Sequence, residues 1–308
     1  MIRKDKLHIV LLVCALLLCL AANGSVATDG GSPRAPVTGT AALADGPEET
    51  GSVVDILSYE LETEDGLPDG HVPLYINGVL SSDCLVIDGV ARMSVGRFAS
   101  LTGLDYDGVS VAGLTPAVSE SGEYAEANGR YFYFADGLCE RGGELLWPLR
   151  ELARMFSCEV RWDEASGSID LDVTGLAPIE SGGEFYDEDD LYWLSRIIYS
   201  ESGNQPLSGQ IGVGCVVLNR VESPIFPDSV YEVIFERTLG TAQFSPVASG
   251  TIYAEPDEEA VIAAKLCLEG YNTVGDSLYF VNPAIGASGW FAANLTFVTR
   301  IADHDFYA

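Results

Sequence analysis

Between Asp190 and Gly203, apolar residues recur at Leu191, Leu194 and Ile198, the i, i+3, i+7 spacing of one helix face. Glu188, Asp189 and Asp190 crowd the start of this helix, where carboxylates meet the positive end of the dipole. Gly203 can close it. A second helix is expected over residues 206–220 and is apolar nearly all round. Gly209, Gly212 and Gly214 weaken it locally and suit close packing against the first helix. Pro256 and Asp257 open a third, with Val261, Ala264 and Leu268 on one face and Gly270 at its end. Residues 278–281 and 297–301 read as strands, with Trp290 on a loop between them.

Upstream, from about His71 to Val173, the pattern shortens to alternating strands. Asn77-Gly78 and Asn128-Gly129 are hairpin turn signals about fifty residues apart, which suggests a diverged internal repeat. A helix is expected over residues 94–102. Trp147 and Pro148 open another, and residues 160–163 with 168–171 form a closing hairpin. Residues 180–190 are an acidic, Gly-containing stretch. Residues 28–68 are rich in Gly, Pro, Ala, Thr, Asp and Glu and carry too few large apolar groups to offset the entropy of ordering.

The 308 residues are 47% hydrophobic and 20% charged, a globular composition long enough for two cores. Arg3, Lys4 and Lys6, the apolar run from Leu7 to Ala22, and Ser25-Val26-Ala27 form a signal-peptide pattern. Cleavage near Ala27 leaves no stable membrane span, and an uncleaved anchor is the alternative. The net charge of −30 excludes nucleic acid as a natural partner. It also prevents capture of an anionic surface by bulk electrostatics, so binding would need a shaped groove. Five cysteines follow the signal segment: Cys84, Cys139, Cys158, Cys215 and Cys267. An odd number is a poor disulfide framework, and Cys215 and Cys267 read as small buried hydrophobes. No spacing suggests a metal site, and no cofactor is expected.

One charged residue falls on an apolar face. Glu201 lies three residues after Ile198 and seven after Leu194, so it points toward the core at the C-terminal end of its helix. Lost hydration and the negative end of the dipole both raise a carboxyl pKa there. A general acid protonating a glycosidic oxygen near neutral pH needs that shift. Position alone fits better a Glu at a frayed helix end reaching water, and only the surrounding residues reverse that.

Two resemblances add to this. Residues 147–153 (Trp-Pro-Leu-Arg-Glu-Leu-Ala) with Val160-Arg161-Trp162-Asp163 look like the copper amine oxidase N-terminal-like stalk module, read here as a spacer or wall-contacting module. It implies no copper in this chain, since His71 is the segment's only His. Residues 197–206 (Ile-Ile-Tyr-Ser-Glu-Ser-Gly-Asn-Gln-Pro), 209–221, Ser223-Pro224-Ile225-Phe226-Pro227, Gln243-Phe244-Ser245-Pro246-Val247 and Gly250-Thr251-Ile252 together resemble the SleB/CwlJ family of cell-wall hydrolases, over residues 191–307. Asp303-His304-Asp305-Phe306-Tyr307 is similar to the family's closing Asn-His-x-Phe-Tyr, with Asp303 in place of Asn.

The family resemblance implies an α+β fold: a helix-rich C-terminal domain like lysozyme and the lytic transglycosylases, preceded by a small β-rich α+β stalk. It implies Glu201 as the catalytic acid, peptidoglycan as partner, and cleavage between N-acetylmuramic acid and N-acetylglucosamine. Gln243, Phe244, Tyr279, Asn282 and Trp290 are the candidates for a sugar groove, because rings cover sugar faces and amides bond N-acetyl groups. Plain hydrolysis wants a second carboxylate. Glu222, Glu232 and Glu236 read as solvated charges and Asp228 as a helix cap, which favours the transglycosylase route. The expected division is a signal peptide (1–27), a flexible linker (28–68), the stalk (69–175), an acidic linker (176–189) and the catalytic domain (190–308). Secretion to the cell wall or spore cortex follows, with regulatory wall or spore proteins as further partners. The competing readings are a wall-binding scaffold with a silent hydrolase domain, and a stem-peptide amidase or peptidase. The last needs zinc ligands or a Cys–His pair such as Cys215 and His304, where a mid-helix thiol is inert.

Overall fold

The computed structural model describes residues 70–285 and 288–308. The signal segment and the 28–68 linker lie outside the described residues. The N-terminal part is built on strands β1 (Gly70–Ile76), β2 (Val79–Ile87) and β3 (Val90–Ser94), followed by helix α1 (Val95–Thr102). Ser94 caps α1 by accepting from Arg97 N, which satisfies a donor that the first turn leaves unpaired. The short strands β4 (Ala117–Val118), β5 (Tyr124–Ala127) and β6 (Arg130–Tyr133) form a sheet of their own. β7 (Cys139–Arg141), β8 (Glu144–Pro148), helix α2 (Leu149–Arg154), β9 (Glu159–Asp163) and β10 (Ser168–Asp172) then complete a seven-stranded sheet in the order β7-β8-β3-β2-β1-β10-β9.

Both Asn-Gly turns have two successive residues in the left-handed region, with φ 49° and 75° at Asn77-Gly78 and 55° and 78° at Asn128-Gly129. That conformation matches the right-handed twist of the strands it joins, which is why these dipeptides make hairpins. The two hairpins lie in different sheets. One expectation is corrected here: Trp147 and Pro148 finish β8 rather than open a helix. Pro148 pairs with Arg92 of β3, and α2 starts at Leu149, where the missing proline N–H costs nothing. Leu74, Phe98, Phe132, Leu149, Leu152 and Leu171 centre the core between sheet and helices.

The segment after β10 is packed. A single helical turn, α3 (Gly182–Phe185), carries buried Tyr186 at its end, and Ile179 is buried on the first core. Asp187 then caps α4 (Glu188–Ser202), accepting from Asp189 N and Asp190 N at 3.0 Å each. α5 (Leu207–Glu222), α6 (Val230–Phe235), β11 (Arg237–Thr238), β12 (Thr241–Ala242), α7 (Ser245–Ser249) and α8 (Glu258–Leu268) follow. Ser229 caps α6, accepting from Glu232 N, and Asp228, expected as the cap, is exposed. β13 (Tyr279–Val281), α9 (Ser288–Asn294), β14 (Phe297–Ile301) and β15 (His304–Tyr307) close the chain, with sheet order β13-β15-β14. Trp290, expected on a loop, belongs to α9.

α4, α5 and α8 pack on one another around Leu194, Ile198, Ile211, Val216, Ala263 and Leu266. α5 can sit this close because of its glycines. A Cβ at Gly214 would lie 2.6 Å from Cys267 Sγ and 2.8 Å from Ile198 Cδ1. One at Gly212 would lie 2.8 Å from Val274 Cγ1 and 2.9 Å from Phe306 Cζ. The chain is thus a mixed helix and sheet structure with two main cores. The β5–β6 hairpin joins them, with Tyr124, Tyr131 and Tyr133 packed against the helical core. No helix among the described residues is long and apolar enough to cross a membrane.

Candidate functional site

α4 carries Glu201 on its last turn. The face that buries Leu194, Ile197 and Ile198 continues into Ser202, whose Oγ donates to Ile198 O at 2.8 Å. Glu201 is half-buried and opens on a cleft of about 380 Å³ lined by Tyr199, Ser200, Gly203, Asn204 and Asp257. Burial pushes its carboxyl pKa up to about 7, against an opposing pull from Arg220. Near neutral pH such a group exists in both protonation states, which general acid–base chemistry requires.

Arg220 is buried near the end of α5. Its Nε donates to Leu278 O at 2.8 Å, and its guanidinium lies 4.9, 5.0 and 5.5 Å from the ring centres of Phe226, Phe244 and Tyr279. Aromatic faces of this kind hold a desolvated guanidinium by cation–π attraction. Arg220 also draws down the pKa of a second carboxyl, Glu236, which burial raises. Glu236 follows α6 directly, and its Oε2 is buried with no hydrogen bond to it among the described residues. Glu236 was expected as a solvated charge, and the structure corrects that. Glu222, Asp228 and Glu232 are exposed.

The five sugar-groove candidates are placed differently from expectation, and none lines the Glu201 cleft. Phe244 and Tyr279 are buried and support Arg220, so they offer no ring face to a sugar. Gln243 is buried, with Nε2 donating to Thr238 Oγ1 at 2.9 Å. Asn282 Oδ1 accepts from Ala284 N at 3.0 Å in a local turn. Trp290 is half-buried, edge-on to Phe291 at 5.7 Å. Sequence reasoning missed Asn204 and Asp257 as cleft walls. Asn204 sits in the motif beside Gly203. Asp257 carried only a helix-start signal, since it caps α8 through Ala260 N.

The closing motif docks on the loop after Glu201. Asp303 N donates to Gln205 Oε1 at 3.1 Å, and Gln205 Nε2 lies 3.3 Å from Asp303 Oδ2. Asp303 thus ties the chain end to the turn that follows α4. His304 packs against Phe280 at 5.3 Å, and burial lowers its pKa, so its ring is neutral at pH 7. Cys215 donates its thiol to Tyr271 O at 3.2 Å. Among the described residues no group of three or more His, Cys, Asp or Glu side chains could hold a metal ion.

Residues 204–307 match the profile of the family described as Cell Wall Hydrolase, a span that begins three residues after Glu201. The chain is 37% identical over 117 residues to the spore cortex-lytic enzyme of Oceanobacillus iheyensis, covering 38% of this chain and 41% of that protein. It is 39% identical over 121 residues to the spore cortex-lytic enzyme of Halalkalibacterium halodurans, covering 39% of this chain and 35% of that protein. It thus spans well under half the length of either relative. The catalytic domain of the germination-specific lytic transglycosylase SleB from Bacillus anthracis aligns at 34% identity and a TM-score of 0.37, over 42% of this chain and 100% of that one.

Proposed function

We propose that the cell-wall hydrolase domain at the C-terminal end of this chain cleaves the glycan strand of peptidoglycan, between N-acetylmuramic acid and N-acetylglucosamine, with Glu201 as the acid. The observation that carries this reading is a half-dry carboxyl at the end of α4, open to a cleft and poised near pH 7. Protonated Glu201 gives its proton to the bridging oxygen as the C1–O bond breaks. The resulting carboxylate then takes the proton of the muramic 6-hydroxyl as that oxygen attacks C1, leaving a 1,6-anhydro end and a regenerated acid. Arg220, held by its aromatic neighbours, steadies the carboxylate between the two steps.

Glu236 supports a second reading, plain hydrolysis. It is a partly buried carboxyl under the influence of the same guanidinium, and a second carboxylate is what activation of water needs. Mass analysis of muropeptides from digested sacculi separates the two: anhydro-muramic ends mean transglycosylation, reducing ends hydrolysis. In either case Glu201→Gln is expected to reduce release of muropeptides at least a thousandfold with the fold retained. Wall digestion at the parent rate by that variant would remove Glu201 from the mechanism.

The same reading extends to the whole chain. A copper amine oxidase N-terminal-like stalk (69–175) carries a helix-rich, lysozyme-like catalytic domain (190–308) across the 176–189 segment. The signal peptide (1–27) directs export to the cell wall or spore cortex, and the 28–68 linker gives reach.

A further inference from the structure

A second cavity lies away from Glu201. It is a groove of about 680 Å³ between the seven-stranded sheet and the helical part of the chain. The sheet side supplies Val86, Val160, Trp162 and Ile169; Pro148, Arg150 and Glu151 close one end and Tyr133–Asp136 another. Tyr271–Thr273, just past α8, form the facing wall. The half-buried indole of Trp162 is part of the groove's lining.

The groove is held in shape. Glu269 is buried just after α8 and accepts from Arg130 Nε and Nη2 at 2.8 and 2.7 Å and from Tyr186 Oη at 2.7 Å. Arg154 of α2 donates to Glu269 O at 2.7 Å. Tyr271 stands two residues beyond this knot, meets Tyr133 edge-on at 6.1 Å, and carries the Arg154 guanidinium 4.8 Å from its ring centre. Both walls are therefore fixed to one buried ion cluster, and the cavity needs no rearrangement to receive a ligand.

Its polar groups point to a class of ligand. Glu151 and Asp136 both line the groove; burial raises the Glu151 pKa, against the pull of its own backbone N–H and of Arg154 and Arg150. Ionised carboxylates are acceptors only, so they suit a ligand rich in hydroxyl and amide N–H donors. Trp162 and Tyr133 add apolar ring surface. Arg150 is the cation in the lining, so the site is net negative and disfavours an anionic occupant such as a stem peptide with free carboxylates. A chain of net charge −30 must in any case be retained on a wall by contacts of this uncharged kind.

We propose that this groove is a second glycan site, which binds an uncharged N-acetylated amino-sugar stretch of the wall away from the bond being cut. The proposal rests on the wall-hydrolase reading for its ligand, and on the cavity for its location. The test uses the full chain carrying Glu201→Gln, titrated with tetra-N-acetylchitotetraose by calorimetry and sedimented with purified sacculi. Trp162→Ala removes the stacking surface, and Ala135→Trp fills the mouth from an exposed position without removing any packing. Each is expected to lower the chitotetraose affinity or the fraction bound to sacculi at least fivefold at an unchanged melting temperature. The Glu201 cleft is the same in all three proteins, so the loss maps to the groove. Should Trp162→Ala fail to fold, Ala135→Trp decides alone. Binding equal to the parent in Ala135→Trp overturns the proposal, as does equal competition by a free stem tetrapeptide. Wall digestion by the Glu201→Gln chain at the rate of the unmodified protein would instead overturn the catalytic reading, and leave the chitotetraose result standing.

Discussion

At the scale of single residues, the site is a question of where two carboxyl protons sit. Glu201 is useful as an acid only while protonated, and burial holds its pKa up to about 7. The rate of wall digestion should therefore fall as pH rises through about 7, measured as muropeptide release under constant ionic strength. Stability follows the same group with a definite sign. A carboxyl whose pKa is raised on folding favours the folded state at low pH, and that advantage is lost as pH rises through the folded value. Above pH 7 the ionised Glu201 costs the fold on the order of 3 kcal/mol, at about 1.4 kcal/mol per pH unit between the unfolded and folded values. Glu201→Gln removes that cost. Its melting temperature should exceed the parent's by several degrees at pH 8 and match it at pH 4, and equal melting at both pH values would show that burial is not what tunes the group. The burial of Glu201 was legible in the sequence because its helix face could be counted from Leu194 and Ile198. Glu236 was not, because its burial and the pull of Arg220 on it are set by the tertiary fold, and local spacing carries no trace of either.

At the scale of elements, what could be read was what local periodicity or turn chemistry enforces. α4 and α8 announced themselves by apolar spacing and by their capping acids, α5 by its apolar run, and the two Asn-Gly hairpins by the left-handed residues that they need. The misses have local causes as well. Trp147-Pro148 looked like a helix start because Pro suits the first turn, yet the pair ends β8, where its tryptophan is buried against Phe134 at 5.4 Å. Trp290, expected on a loop, belongs to α9, a short helix that contains Gly289. Phe244 and Tyr279 fit a sugar groove by residue type, but their tertiary partner is Arg220. The α5 glycines make the packing argument testable. Gly214→Ala puts a methyl within 2.6 Å of Cys267 Sγ and 2.8 Å of Ile198 Cδ1, both buried. Overpacking of this kind costs about 1–3 kcal/mol, more than the gain in helix propensity from replacing glycine. Denaturant unfolding should show that loss for Gly214→Ala. Because Ile198 lies one turn before Glu201, activity should fall with it. A variant as stable as the parent would mean that α4 and α5 are not in close contact.

At the scale of the whole molecule, the two cores are joined by the β5–β6 tyrosines and by a polar cluster that meets at Glu269. Its side chain has no exposure, and it receives Arg130, Arg154 and the Tyr186 hydroxyl, which come from the sheet side, from α2 and from the segment before α4. A buried carboxylate between two guanidiniums adds little stability when compared with a well-packed apolar cluster, but removing it alone leaves two cations facing each other with their desolvation unrepaid. Glu269→Ala should therefore cost about 3–5 kcal/mol, and the loss should fall on the contact between the cores rather than within either. α8 has its own N-cap at Asp257, and the seven-stranded sheet has its own core, so each part keeps the interactions that fold it. Calorimetry is then expected to resolve two transitions in Glu269→Ala where the parent shows one, with the sheet part and the helical part melting separately. Tyr186→Phe, which removes one hydrogen bond and no charge, should shift the parent transition without splitting it. A single, unsplit transition in Glu269→Ala would place the coupling between the cores in the apolar β5–β6 contact with α8, with the ion cluster only riding on it.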